Sequence, residues 1–507
     1  MAVNFTQRDI QAGNNRLLFH GMVLMALTVF VALYLYADMN GTLWSYQYFF
    51  LLPWIFALGV VTVTPTIILY FQGKFSWANP LIFATWSYFF PAFVIGGLLF
   101  SLGFSQPSFT DLVQEPQTVY PLTIILIGLG FIGLSLGYFL PIGAKLGSLA
   151  GNWLPADKYP PSAFILPGIL LLLIGEFSTF AAFGLGIFGY QIPDQVNSYF
   201  GLVALSTLYW IEGTFLLWWA VFSEKTIRIS YAPVIAILIA AGVLNILLAG
   251  SRGTIVHVFT MVLIAYILAG RKFRFRQGVI AGVILAVCLV VGLIYGTTFR
   301  NIKGSEAQQS GEQYKDNVLK ALDEVGKKDI GENLQMSFES FAGRVDIMST
   351  LAVVVANYEQ LKPYEEAYGL DNNIWTDLST FLIPRVIWND KPSASDARKY
   401  SALYFSFGEN SFAITPIGDL LRNYGIVGVP IGMFILGIII RFLYQTLVDE
   451  QRPSLWRSTV YFMLLTSISY EGFYGTIIPV LFKFGFTAVL GILFVNFIAK
   501  KTAGKLN

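Results

Sequence analysis

Apolar runs of about twenty residues recur along most of this chain, and no other feature restricts its fold as strongly. A helix of that length crosses the hydrocarbon core of a bilayer, because it satisfies its backbone polar groups internally. The sequence therefore predicts an all-α polytopic integral membrane protein with about twelve transmembrane helices. The predicted spans are residues 17–37, 49–71, 81–103, 121–140, 163–187, 199–223, 231–250, 254–270, 278–297, 424–444, 457–475 and 476–498.

The composition agrees with a lipid environment. Hydrophobic residues make up 55% of the chain and charged residues only 12%, and this charged fraction is about half that of a soluble domain. The net charge of +2 gives no indication of a nucleic-acid partner, and the single cysteine, Cys288, excludes an intrachain disulfide. No small-residue cleavage site follows the first apolar run, which predicts an uncleaved membrane anchor.

The positions of lysine and arginine predict the orientation, because these residues resist translocation in short loops. With the N-terminus in the cytoplasm, the inner connections carry nearly all the basic residues outside the longest loop, and the short outer loops carry only Arg252. Both termini are therefore expected in the cytoplasm. The segment "GSRGT" (residues 250–254) is expected on the outer side, so that Arg252 breaks the bias that sets the orientation.

One outer connection, residues 298–423, is much longer than the others. It divides the chain into residues 1–297, with transmembrane helices 1–9, the loop itself, and residues 424–507, with helices 10–12. A connection of this length without a function would be unusual. Its first part, "GEQYKDNVLKALDEVGKKDIGENL", has charged and apolar residues at helical spacing, which predicts a helix that lies in the membrane interface or over the bundle. The stretch 338–357 is apolar enough to dock back onto the membrane surface.

Known nucleotide and metal motifs do not appear in the sequence. There is no Walker loop, no dinucleotide-binding glycine pattern and no cluster of Cys and His, and the two histidines, His20 and His257, lie inside apolar runs. The sequence therefore predicts a protein without a nucleotide, metal or other cofactor.

Several cations are expected at the outer boundary of the membrane. Arginine forks bind phosphate oxygens bidentately and keep their charge, so a set of arginines beside a membrane suits a lipid-linked diphosphate. The structural alternative is that they pair with acids of the same loop or with phospholipid head groups. That alternative is weakest for Arg252, which has no acidic neighbour in sequence. The predicted diphosphate-binding residues are Arg252, Arg300, Arg344, Arg385, Lys391 and Arg422.

The order of four features resembles the Wzy-like O-antigen polymerase family, also called oligosaccharide repeat unit polymerases. The features are "GSRGT", the long outer loop, "IPRVIWNDKP" (residues 383–392) and "SFAITPIGDLLRNYGIVGVPIGMFILG" (residues 411–437). The resemblance implies a GT-C-like fold in the bacterial inner membrane, with an active site that faces the periplasm. It implies a metal-independent, inverting glycosyltransferase that joins oligosaccharide repeat units linked to undecaprenyl diphosphate, as in lipopolysaccharide biosynthesis. Membrane lipids are expected partners, and a chain-length regulator is a partner that the resemblance leaves open.

The base for such a reaction is left open by the sequence. The related O-antigen ligases are thought to use an outer-loop histidine, and this loop has none. Asp419, in "GDLLRNYG", is the favoured acid, and Glu409 is the second. A mechanism without a strong base is the third choice, because a sugar hydroxyl can lose its proton late when the leaving group is good.

Two other classes of protein share some of these features. A lipid-linked oligosaccharide flippase or secondary transporter would also have about twelve helices with charges inside the membrane, but related halves and short loops are expected of it. The single long loop argues against that class. An O-antigen ligase or a mannosyltransferase of the same broad fold is the second alternative.

Overall fold

The computed structural model describes residues 47–103, 109–155, 159–185, 199–224, 229–249, 252–271, 275–303, 311–327, 345–383, 387–388, 391–392, 395–408, 411–449 and 454–503. Regular structure in these residues is helical throughout, with no strand. The helices are α1 (Leu52–Phe71), α2 (Pro80–Ser101), α3 (Pro116–Phe139), α4 (Pro141–Trp153), α5 (Ile165–Gly184), α6 (Phe200–Ser223), α7 (Ala232–Ala249), α8 (Arg252–Leu268), α9 (Phe275–Lys303), α10 (Gly311–Lys327), α11 (Ile347–Leu361), α12 (Asn373–Thr380), α13 (Ala397–Phe405), α14 (Thr415–Leu447), α15 (Leu455–Ser467) and α16 (Tyr474–Ala503).

Eight of these helices are long and apolar enough to cross a membrane: α1, α2, α3, α5, α6, α7, α14 and α16. The predicted all-α membrane protein is therefore confirmed. The predicted count of about twelve spans stays a prediction. The first predicted span, residues 17–37, lies outside the described residues, and the spans 254–270 and 278–297 correspond to α8 and α9.

The predicted span 457–475 is wrong beyond Ser467. Helix α15 ends at Ser467 after 13 residues, which corresponds to about 20 Å, whereas the hydrocarbon core is about 30 Å thick. Residues 468–473 continue without helix, with Tyr470 and Phe473 buried. The backbone N–H of Thr415 donates to the carbonyl of Glu471 (3.3 Å). Such a break is tolerated within a membrane protein where protein surrounds the backbone and supplies the missing hydrogen bonds.

Helices α3 and α14 pack with their backbones almost in contact. A Cβ atom added to Gly437 would lie 2.1 Å from the carbonyl oxygen of Leu134, and one added to Gly137 would lie 2.0 Å from that of Phe434. Small residues at helix interfaces allow this approach, which is a main source of helix association in membranes. The inner part of α14 is thereby held firmly against α3.

The part of α14 before Gly425, which we name the outer part after its predicted side, has a different direction from the rest, the inner part, because the helix breaks at Gly425. This residue has φ 69° and ψ −168°, a backbone conformation that essentially only glycine adopts. The predicted boundary between the outer loop and the last helices, at residues 423 and 424, falls beside this break. The first nine residues of α14, residues 415–423, therefore belong to the part of the chain that was predicted as loop.

Segments that were predicted to share a side of the membrane meet at the same end of the bundle. At one end, Arg457 Nη2 donates to the carbonyls of Leu154 (2.7 Å) and Gly151 (3.2 Å). At the other end, Asn357 Nδ2 donates to the carbonyl of Leu112 (3.1 Å). Which end faces the cytoplasm stays a prediction.

Candidate functional site

Helix α11 brings the long connection back onto the bundle. Asp346 caps the helix, since its Oδ1 accepts from the backbone N–H of Ser349 (3.1 Å) and its Oδ2 from the Ser349 hydroxyl (2.6 Å). A Cβ atom on Gly96 of α2 would lie 2.3 Å from the carbonyl oxygen of Val345. Residues Ile347–Val355 are buried. The described part of the predicted docking segment therefore packs on protein. The residues that follow it lie over the outer part of α14.

Arg422, in the outer part of α14, lies at the centre of a buried ion network. Its Nη1 donates to Glu365 Oε1 (2.9 Å), and its Nη2 donates to Asn373 Oδ1 (2.7 Å). Its Nε (3.2 Å) and Nη2 (3.1 Å) both donate to Asp419 Oδ1. Asp419 is 0% exposed and Arg422 is 1% exposed. Buried charges are stable when they are paired and hydrogen-bonded, so this network holds α14 and two points of the long connection together.

Further hydrogen bonds attach the neighbouring elements to this network. Tyr404 of α13 donates its hydroxyl proton to Glu365 Oε1 (3.0 Å), and burial together with the Glu365 charge raises the pKa of that phenol, which keeps it a donor. Lys362 Nζ donates to the backbone carbonyl of Arg422. Asn423 Nδ2 donates to Asn373 Oδ1 (2.8 Å). The turn after α11, the start of α12 and the end of α13 are thereby all fixed to one turn of α14.

The two carboxylate oxygens of Asp419 both accept internal hydrogen bonds. In addition to the Arg422 contacts, Oδ1 accepts from Asn373 (3.1 Å) and Asn423 (3.2 Å), and Oδ2 accepts from Asn373 (3.2 Å) and from the backbone N–H of Gly475 (3.2 Å). A general base needs a lone pair within hydrogen-bond reach of its substrate. These contacts favour a positioning role for Asp419 and Arg422, and their roles as base and phosphate ligand stay predictions.

The network continues outward to Asp377, one helical turn after Asn373 in α12. The hydroxyl of Ser395 donates to Asp377 Oδ2 and accepts from Asn373 Nδ2 (2.9 Å). Asp377 and Ser395 are both half-buried. Burial raises the pKa of the Asp377 carboxyl, and so does the charge of Asp419, while the Ser395 hydrogen bond and the charges of Lys391 and Lys483 lower it. We call Asp377, Ser395, Lys391 and Lys483 the polar edge.

The polar edge lies where α16 enters its apolar span, because α12 runs beside the start of α16 in the same direction. A Cβ atom on Gly475 would lie 2.9 Å from Ile374 Cα and 3.2 Å from Asp377 Oδ2. Further along, the rings of Phe381 and Phe482 pack edge to face with centroids 5.3 Å apart. Leu382 is 61% exposed on this side. Exposed apolar and aromatic side chains next to cations are typical of the boundary between lipid and water.

Lysines supply the positive charge of the polar edge from two elements. Lys391, which was predicted as a phosphate ligand, donates from Nζ to the carbonyl of Ile383 (3.1 Å). Lys483 of α16 is exposed, and a lysine within an apolar span extends its stem so that the ammonium reaches the polar boundary. Asp377 is within electrostatic range of both ammonium groups. Among the described residues, no group of three or more His, Cys, Asp and Glu side chains could hold a metal ion.

We call the start of α8 and the end of α9, which carry Arg252 and Arg300, the second cluster. Arg252 is the first residue of α8, and Arg300 lies in the last turns of α9. Tyr314 of α10 donates its hydroxyl proton to the carbonyl of Leu248 (2.8 Å), at the end of α7. The predicted helix is therefore present as α10 and is fixed to the end of α7, while its position relative to the membrane stays a prediction. The side chains of Arg252 and Arg300, and all of Arg344, Arg385 and Glu409, lie outside the described residues.

Sequence reasoning missed four residues that build the site: Glu365, Asn373, Asp377 and Ser395. A signal for two of them was available in "DNNIWTD" (residues 371–377), where Asn373 and Asp377 are four residues apart and therefore on one face of a short helix. No local signal pairs this face with Asp419 and Arg422, since the partners are more than forty residues away.

Comparison with known proteins gives a family of unknown function. A family model described as "Domain of unknown function (DUF8712)" matches residues 170–449, more than half of the chain. The match includes all of α6–α14, and with them every residue of the Arg422 network, Asp377, Ser395 and Lys391. It does not include α15 or α16. No curated protein and no solved structure matches this chain.

Proposed function

We propose that this chain, which belongs to the DUF8712 family, is a glycosyltransferase that joins lipid-diphosphate-linked oligosaccharide repeat units into a surface polysaccharide. The reaction inverts the anomeric centre, needs no metal, and takes place on the outer face of the bacterial inner membrane, with both termini in the cytoplasm. The observation that carries the proposal is the Arg422 network, which holds the long connection so that the carboxylate of Asp377 lies within electrostatic range of Lys391 and Lys483. The resemblance to Wzy-like polymerases points to the same reaction.

The chemistry explains why cations should lie at this depth. When the bond between the donor sugar and undecaprenyl diphosphate breaks, negative charge develops on the diphosphate, and preorganised cations in a water-poor site stabilise that charge strongly. Lys391 and Lys483 supply positive charge at the polar edge. The exposed side chains of Leu382 and Ile383 offer an apolar surface for the lipid tail beside those lysines.

The second cluster supplies the other part of the proposed donor site. The N-terminal turn of α8 has backbone N–H groups without helical partners, and such groups bind anions. Gly253 follows Arg252 directly, so that no side chain at that position hinders a bound head group. In this proposal Arg252 and Arg300 bind the diphosphate, whereas Asp419 and Arg422 keep the long connection in place over it.

A reconstituted assay tests the proposal. The purified protein in liposomes is given an oligosaccharide repeat unit on undecaprenyl diphosphate, without nucleotide and with EDTA, and a ladder of longer products is expected. Activity that needs added magnesium or manganese would contradict the metal-independent mechanism. Movement of the lipid-linked unit across the bilayer without polymer would favour the flippase, and transfer of finished chains to another lipid would favour a ligase.

Arg252 gives the sharpest variant for this assay. Arg252→Ala should abolish the ladder in protein that still inserts and purifies normally, a loss of about 3 kcal/mol or more, as for other charge-stabilising donors. Arg252→Lys should restore little, because lysine keeps the charge and loses the planar fork. Arg274→Ala, in the predicted inner connection, is the matched control. Normal ladders from Arg252→Ala would remove Arg252 from the donor site.

A further inference from the structure

Asp377 is the carboxylate of the polar edge. We propose that Asp377 is the catalytic base, which accepts the proton of the acceptor sugar hydroxyl during glycosyl transfer. This inference rests on the proposed function. It assigns the base to α12, in the long connection, and leaves Asp419 as the residue that positions this helix.

Asp377 has the free acceptor capacity that Asp419 lacks. The side chain of Asp377 is half-buried, and from the described residues its carboxylate accepts one hydrogen bond, at Oδ2 from Ser395. Oδ1 is therefore available to a substrate hydroxyl. A catalytic carboxylate must reach substrate while a second contact keeps it oriented. The Ser395 hydroxyl provides that contact, and its own position is set by Asn373.

The groups around Asp377 suit a base that works beside a leaving diphosphate. Ser395 and Lys391 approach it from the loop after α12, Asp419 from α14, and Lys483 from α16. Burial and the Asp419 charge raise the pKa of the carboxyl above its ordinary value, and the lysines limit that rise. A base whose pKa lies closer to the working pH, and which is still ionised there, transfers protons more effectively.

The proposed step balances in atoms and charge. The acceptor hydroxyl oxygen attacks the anomeric carbon of the donor sugar and forms the new glycosidic bond. Its proton passes to Asp377 Oδ1. The bond between the anomeric carbon and the diphosphate oxygen breaks, and its electron pair stays on that oxygen, near Lys391 and Lys483. Asp377 then releases its proton to water, which restores the carboxylate for the next cycle.

Two other carboxylates at this end of the bundle are less suited. Glu365 is 1% exposed and is bonded to Arg422 and Tyr404, so a sugar hydroxyl cannot reach it. Glu471 is exposed, in the break between α15 and α16. Among the described residues, no lysine or arginine charge shifts the pKa of its carboxyl, whereas Lys391 and Lys483 lower that of Asp377. Glu471 is therefore the competitor that the experiment has to separate from Asp377.

The experiment measures polymer formation by the full-length protein in liposomes, as a function of pH and of lipid-linked acceptor concentration. For Asp377→Asn, kcat should fall roughly a hundredfold or more with little change in KM. The base must be ionised, so wild-type kcat should rise with pH through the apparent pKa of Asp377 and then level. The variant should lose that rise, which is the acidic limb of the pH profile. Asp371→Asn, an exposed carboxylate two residues before Asn373, is the matched control and should behave as wild type.

Two further variants separate a base from a structural residue. Ser395→Ala removes the hydrogen bond that lowers the pKa of Asp377, and Lys483→Gln removes a positive charge that lowers it. In both variants the midpoint of the acidic limb should move to higher pH, and this shift is measured independently of any fall in the alkaline plateau, which is expected for Lys483→Gln because Lys483 also lies near the leaving diphosphate. These two profiles also decide the case if Asp377→Asn does not fold. An acidic limb that stays in place in both would overturn the assignment.

The remaining outcomes are distinct. Near wild-type turnover of Asp377→Asn, or an acidic limb that disappears only in Glu471→Gln, would overturn the role of Asp377 and leave the proposed function intact. A wild-type protein that forms no polymer from lipid-diphosphate donors at any pH would overturn the proposed function, and this inference with it.

Discussion

The two parts of α14, on either side of Gly425, are held in the molecule by opposite kinds of contact. The outer part is held by charges, through the contacts of Arg422 with Glu365 and Asp419. The inner part is held by close packing of backbone on backbone, because Gly437 has no side chain and lies against the backbone of α3. A charge network is stable only with all its partners in place, whereas a glycine contact needs only a close surface.

This difference distinguishes the part of α14 that supports the fold from the part that positions the candidate site. The glycine contacts hold α14 against α3 regardless of what happens at the outer surface. The ion network depends on three segments of the long connection, so any change in the position of α12 or α13 is transmitted to Arg422. The polar edge, which is attached to the network through Asn373 and Ser395, is therefore positioned by charge pairing. Variants in the outer part of α14 should change activity as well as stability, whereas variants in the inner part should change mainly stability.

The largest effect is expected for Arg422→Met. Removal of one partner leaves the carboxylates of Asp419 and Glu365 buried without their counter-charge, which costs about 3–5 kcal/mol of unfolding free energy. Denaturant or thermal unfolding of the detergent-solubilised protein measures the loss. The triple variant Arg422→Met, Asp419→Leu, Glu365→Met should regain part of the stability, because no charge is then left unpaired, but it should not regain polymerisation. An Arg422→Met protein as stable as wild type would show that the network does not stabilise the fold.

A smaller loss is expected for Gly437→Ala in the inner part. The added methyl group would overlap the carbonyl of Leu134 and push α3 and α14 apart, at a cost of about 2–3 kcal/mol in the same unfolding measurement. Gly128→Ala is the matched control on α3, since its nearest neighbour would be Leu58 Cδ1 at 3.9 Å. Equal stability of the two variants would contradict the close packing of these backbones.

Gly425→Ala tests the junction itself and should have a smaller effect on stability. A Cβ atom there would meet nothing within 4 Å, so the cost of about 1–2 kcal/mol comes from the backbone conformation alone. Polymerisation should fall more than stability, because the junction orients the Arg422 network. Gly282→Ala, at a helical glycine of α9 that also meets nothing within 4 Å, should cause no loss. Unchanged activity in Gly425→Ala would mean that the orientation of the outer part tolerates change.

The smallest effect is expected for Tyr404→Phe, at the periphery of the network. The variant loses the hydrogen bond to Glu365, but Glu365 Oε1 keeps its contact with Arg422. A hydrogen bond of this kind contributes about 1 kcal/mol. Unfolding measurements on Tyr404→Phe and Arg422→Met should therefore differ by a factor of three or so, and a loss as large as that of Arg422→Met would place Tyr404 at the centre of the network.

Sequence reasoning succeeded where the information is local. Apolar runs predicted the positions of most long helices, because each run satisfies its own backbone. Charge spacing predicted the helix that is present as α10. Sequence reasoning failed at residues 468–473, which were predicted as part of a span, whereas the helix ends at Ser467 and the carbonyl of Glu471 accepts a hydrogen bond from Thr415 of α14. A contact with another segment cannot be inferred from the apolarity of either one.

Asp377 and Asp419 show most clearly what the sequence determines and what the tertiary structure decides. Both are aspartates in short polar stretches, and the sequence places both within residues 298–423, the connection that run length and charge position predict to lie on the outer side. Which of the two is buried was decided only when α12, α14 and α16 came together. Gly475 and Arg422 enclose Asp419 and satisfy both its oxygens, whereas Asp377 keeps one oxygen open beside two lysines. Burial depends on neighbours from distant segments, and a carboxylate's chemistry depends on its burial.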